Sequence, residues 1–93
     1  METHKNDSTK DRNPLRDISQ QKMVVGAKQL RKALQSGRAK RVYLAGNADP
    51  AITDPIEMMC KQYHIDCAWV PNMLDLGLAC GIEVGAAAAA VVD

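Results

Sequence analysis

The 93-residue chain has no phenylalanine, and its only aromatic residues are Tyr43, Tyr63 and Trp69. That excludes the RNA-recognition modules that stack bases on an aromatic sheet face. No apolar run approaches the roughly 18 residues needed to cross a bilayer, so no membrane partner is expected. Cysteine is confined to Cys60, Cys67 and Cys80, an odd number without metal-ligand spacing, and His4 and His64 have no Cys or His partner at zinc spacing. With no apolar signal-like segment, the expected setting is reducing and cytoplasmic, and no metal is expected. Ser8, Ser19 and Ser36 lack a motif that would position a base, and the six glycines form neither a Walker loop nor a dinucleotide fingerprint. The carboxylate pairs Asp49/Asp54 and Asp54/Glu57 are explained by helix capping. A catalytic role and a cofactor are therefore not expected.

Acidic residues are also missing from one long stretch. None lies between Asp17 and Asp49, whereas seven basic residues (Lys22, Lys28, Arg31, Lys32, Arg38, Lys40, Arg41) fall there. From Val42 onward the balance inverts, with Lys61 alone against seven carboxylates, so the net charge of +1 hides a polarised chain. One-sided positive potential attracts polyanions. Charge by itself fits a solvated helix face equally well.

Residues 1–20 hold four basic and four acidic residues, with Leu15 and Ile18 the only large apolar residues after Met1. Such a stretch buries too little surface to offset its ordering entropy, so it is expected to be a mobile charged tail preceding one domain over 21–93. Within that domain Met23–Val25 reads as a short strand. Ala27, Leu30, Ala33 and Leu34 recur at helical spacing, and Ser36-Gly37 ends the helix. Arg41–Ala45 reads as a buried strand closed by the Gly46-Asn47 turn. Asp49-Pro50 and Asp54-Pro55 both carry helix-start chemistry, and Ile52, Ile56, Met59 and Cys60 are expected to face inward. A strand over Ile65–Val70 and a short helix over Met73–Ala79 follow, in which Leu74, Leu76 and Leu78 cannot all face one way.

Ala86–Val92 combines high helix propensity with a length at which a helix is marginal. A β-α-β-α-β-α chain still needs its last strand, and small residues suit a strand buried on both faces. A strand is expected there. The alternation predicts an α/β fold, a three-layer α/β/α sandwich with a four-stranded mixed sheet.

Two segments carry candidate chemistry. Lys28, Arg31 and Lys32 occupy the first two turns of the first helix, where cations oppose the macrodipole and an external anion would relieve the conflict. Gln29 beside them can donate to and accept from a base edge. The loop Gly81-Ile82-Glu83-Val84 is apolar for an exposed segment. Ile82 and Val84 could cover an unstacked base, and closing the core is the competing role, stronger for Val84 than for Ile82.

Gly26-Ala27-Lys28-Gln29-Leu30-Arg31-Lys32-Ala33, then Ala45-Gly46-Asn47-Ala48-Asp49-Pro50, then Leu76-Gly77-x-Ala79-x-Gly81-Ile82-Glu83-Val84 follow one another at family spacing. Over about Met23–Val92 the chain resembles the L-seven-Ae ribosomal-protein family, specifically its short bacterial members that bind kink-turn RNA. The resemblance implies a non-enzymatic RNA-binding protein, monomeric when free, cytoplasmic and of ribosome-associated type. By position it places Gly26, Ala27, Lys28, Gln29, Arg31 and Lys32 at the kink, and Gly81, Ile82, Glu83 and Val84 against looped-out nucleotides. Leu78 stands where family members often have a basic residue. The competing reading is a protein-interaction module on the same fold.

Overall fold

The computed structural model describes residues 22–93, so the expected tail at 1–20 lies outside the described residues. Seven elements follow in order: β1 (Met23–Val25), α1 (Ala27–Gln35), β2 (Ala39–Ala45), α2 (Pro50–Tyr63), β3 (Asp66–Val70), α3 (Met73–Ala79) and β4 (Ala88–Val92). The strands form one sheet in the order β1-β4-β2-β3. β4 is antiparallel to both β1 and β2, while β2 and β3 are parallel. The sheet is mixed, as expected.

Period-two alternation divides the core between two faces. Val42 and Leu44 of β2 and Ala88, Ala90 and Val92 of β4 pack with Leu30, Ala33 and Leu34 of α1 and Ile56 and Cys60 of α2. Tyr43, Ala45, Ala89 and Val91 point the other way, to Leu76 of α3. Helices therefore cover both faces. Every residue of β4 is buried, although alanine favours helix. Its side chains must clear helices on two sides, and alanine lets them approach.

Two local expectations fail in α2. The helix begins at Asp49-Pro50, where the Asp49 carboxylate accepts the Ala51 N–H at 2.9 Å. It then runs through Asp54-Pro55 without restarting, leaving Pro55 inside the helix. The missing N–H leaves the carbonyl of Ala51 without its usual partner, a loss that water can make good because Ala51 is exposed. Starting the helix at the earlier proline also rotates its inward face. Thr53 is buried and Ile52 is 38% exposed, while Ile56, Met59 and Cys60 pack inward as expected.

Candidate nucleic-acid interface

Because β1, β2 and β3 run in one direction and β4 in the other, one end of the sheet gathers four connections. They are the β1–α1 junction, the β2–α2 turn, the β3–α3 turn and the loop from α3 to β4. Backbone bonds sew them together. Gly26 N–H donates to Ala88 O at 3.0 Å, Ala45 N–H to Ala87 O at 3.0 Å, and Ala86 N–H to Met73 O at 2.9 Å. Gly46 N–H reaches Val70 O at 2.8 Å, and Met73 N–H donates to the Asn47 side-chain oxygen at 2.8 Å. The two sequence-predicted segments, fifty residues apart, thus flank the same end of the sheet.

Gly26 has φ 99° and ψ 147°, backbone that a side chain would strain, and this turn aims α1 away from the sheet end. It brings no side-chain oxygen to the first-turn amides, and that turn contains no acidic residue. The other two helices are capped, α2 by Asp49 and α3 by Asn72, whose side-chain oxygen accepts the Asp75 N–H at 2.8 Å. Among the described residues no side chain caps the start of α1, which carries a partial positive charge. Ala27 there is half-buried against the core, whereas Lys28, Gln29, Arg31 and Lys32 are exposed. Among the described residues none of these three cations joins an ion pair.

The helix is nine residues long, so the expectation that all three cations oppose its dipole needs correction. Lys32 lies in the last turn, where a cation is favoured. The opposition falls on Lys28, at the second helical position. Gln29 and Lys32 also border a shallow groove of about 400 Å³ that continues past Gln35 and Ser36 to Arg38. At the opposite end of the sheet two basic residues have carboxylate partners: Lys40 pairs with Asp93 at 3.1 Å and Arg41 with Asp66 at 3.8 Å.

The second segment is held against α3. Gly81 N–H donates to Leu78 O and Ile82 N–H to Gly77 O, each at 3.0 Å. A Cβ on Gly77 would overlap the backbone carbonyl of Val84, so this glycine is what lets the loop lie on the helix. The roles expected for the two apolar side chains are reversed. Ile82 is half-buried against the core around Tyr43, and Val84 is 64% exposed. The hydrogen bond to Gly77 turns Ile82 inward, and packing the Val84 carbonyl on Gly77 leaves its side chain outside. Gly81 and Glu83 are exposed.

Three positioning residues escaped notice as such in the sequence: Asn47, Asn72 and Gly77. Asn72 was legible as a cap three residues before Asp75. The Asn47–Met73 bond spans 26 positions and has no local signature. Among the described residues no group of His, Cys, Asp or Glu could hold a metal ion, and no helix is long and apolar enough to cross a membrane.

Solved structures share the architecture. A protein of unknown function from Bacillus halodurans superposes with a TM-score of 0.71 at 28% identity, covering 76% of this chain and 71% of that one. A 15.5 kD RNA-binding protein of Giardia lamblia superposes with a TM-score of 0.75, covering 85% and 68%; at 23% identity it speaks for the fold alone. In sequence, the chain is 42% identical over 72 residues to an RNA-binding protein of Bacillus pumilus, covering 77% of this chain and 88% of the relative. It is 44% identical over 71 residues to an RNA-binding protein of a Geobacillus species, covering 76% and 87%. Residues 13–93 match a family spanning the whole described domain and part of the segment read as tail. The chain belongs to the ribosomal protein L7Ae/L30e/S12e/Gadd45 family.

Proposed function

We propose that this protein binds RNA without catalysing a reaction, and that its target is a kink-turn whose sharply bent form it stabilises. The observation that carries the proposal is the start of α1, with uncapped amides, no acidic residue in the first turn and Lys28 placed against the dipole. An external phosphate satisfies all three conditions at once. The RNA-binding proteins of Bacillus pumilus and the Geobacillus species, related over most of their length, support RNA as the polyanion.

In this reading Lys28, Arg31 and Lys32 offset the repulsion of phosphates brought together by the bend. Gln29 reads base edges at the kink, with Gly26 and Ala27 allowing the RNA close approach. The Gly81–Val84 loop meets looped-out nucleotides, Val84 by direct contact and Ile82 by fixing the loop on the core. Glu83 disfavours phosphate and accepts from a base amino group. The protein acts as a monomer on cytoplasmic RNA, of ribosomal type, and shifts an existing RNA equilibrium by binding its bent state better.

The test is a titration against a kink-turn RNA and a matched duplex lacking the bulge, each at several salt concentrations. Preference for the kink-turn that persists as salt rises is the expected result. Equal, weak and steeply salt-dependent binding to both would refute the proposal.

A further inference from the structure

Cys60 and Cys67 meet between α2 and β3, towards the end of the sheet where Arg41 pairs with Asp66. Cys60 lies in the last turn of α2 and is buried, while Cys67 of β3 is half-buried against the same core cluster. Backbone geometry sets the turn between them. His64 takes the left-handed conformation that ends α2, and the Ile65 N–H donates to the Cys60 carbonyl at 2.9 Å. The chain thereby returns along the helix as β3, and the Cys67 thiol donates a hydrogen bond to the Cys60 sulfur. Both cysteines are free. Cys80 packs on the other face of the sheet, apart from the pair. Small apolar side chains would fill the same core space, but two touching sulfurs add a reaction that such side chains lack.

We infer that Cys60 and Cys67 form an oxidative modification site, closing to a disulfide that ties α2 to β3 when the protein meets a peroxide. The inference is independent of the RNA-binding reading. Exposure divides the roles. Cys67 stands on a strand at the open edge of the sheet and meets the oxidant, whereas Cys60 is sealed in the core and meets Cys67. The Cys67 thiolate attacks hydrogen peroxide, the O–O bond breaks, and a sulfenic acid forms on Cys67. The Cys60 thiolate then attacks that sulfur, so S–S forms as S–O breaks and hydroxide leaves. The sulfurs lose two electrons to the peroxide, and with the two thiol protons its oxygens depart as two waters. Closure of the disulfide stops Cys67 short of the irreversible sulfinic acid. Burial holds both thiols above their ordinary range, so few thiolates form near neutral pH and weak oxidants leave the pair reduced. Cross-linking should therefore quicken as pH rises, roughly tenfold per unit while Cys67 remains mostly protonated.

The test treats the full chain with hydrogen peroxide at about pH 7 and about pH 9, followed by intact mass, non-reducing peptide maps and thermal melts. The expected product has lost two hydrogens, joins residues 60 and 67 in one cross-linked peptide, and leaves Cys80 outside it. It should melt about 10 °C higher, the effect of closing a loop of about eight residues in the unfolded chain, and dithiothreitol should reverse both changes. Cys80→Ala should cross-link as the unaltered protein does. Cys67→Ala should leave Cys60 as a thiol, because no other group carries the oxidant into the core. Sulfinic acid on Cys67 beside a free Cys60 thiol would overturn the inference, as would a disulfide to Cys80 or between two molecules. Cys60 and Cys67 both still open to alkylation after Cys80 has been fully oxidised would overturn it as well.

Discussion

Lys28 sits at the second position of α1, where the helix gains from a negative charge and loses from a positive one. Lys28→Glu should therefore raise stability by about 0.3–1 kcal/mol while weakening RNA binding. Thermal melts and RNA titrations on the same preparation check both signs; a variant that loses stability and binding together would make Lys28 a structural residue. Gln29 and Lys32 should separate differently. Gln29→Ala should lose preference for kinked RNA and keep nonspecific binding, whereas Lys32→Ala should weaken all RNA binding and lower the salt slope by about one. Identical behaviour in salt-dependent titrations would contradict that division. His64, away from these cations, ends α2 in the left-handed region at φ 58° and ψ 43°. His64→Gly should stabilise the fold by about 1 kcal/mol, read as a rise in denaturation midpoint.

At the scale of elements, Gly77 joins α3 to the loop that follows it. Gly77→Ala places a methyl group on the Val84 carbonyl, so loop or helix must move. A loss of about 1–3 kcal/mol is expected, with weaker selection of kinked RNA. Chemical shift changes confined to 73–87 would check that the disturbance is local. The elements themselves were largely legible. Hydrophobic spacing marked α1, and β4 was called for by the alternation of elements even though its alanines favour helix. Pro55 misled because a helix-start dipeptide reads alike at a start and inside a helix. The choice between Ile52 and Thr53 as the inward residue depended on which proline set the helix phase. The exchanged roles of Ile82 and Val84 follow from a glycine five residues before Ile82, whose function appears only once the loop is laid on the helix.

For the whole molecule, sheet order brings the two segments proposed to contact RNA to one end and places Lys40 and Arg41 with their carboxylate partners at the other. No local pattern carries that order, although the family resemblance supplied the pairing of the two segments. Global stability has its own pH signature. Burial, reinforced by the neighbouring Cys60 thiol, pushes the Cys67 thiol from 9.0 up to about 12. The unfolded chain releases this proton in a range where the folded protein keeps it. The stability held below about pH 9 should therefore decline as pH rises toward 12, with a falling denaturation midpoint that Cys67→Ala flattens. The central claim, however, concerns the shape of the RNA. Its most direct test is energy transfer between dyes on the two ends of a kink-turn RNA, titrated with protein in the absence of divalent ions. Transfer should rise to saturation with the unaltered protein and stay low for a control RNA without tandem G·A pairs. Saturable binding with no change in transfer would show that the protein holds RNA without bending it, and would contradict the account.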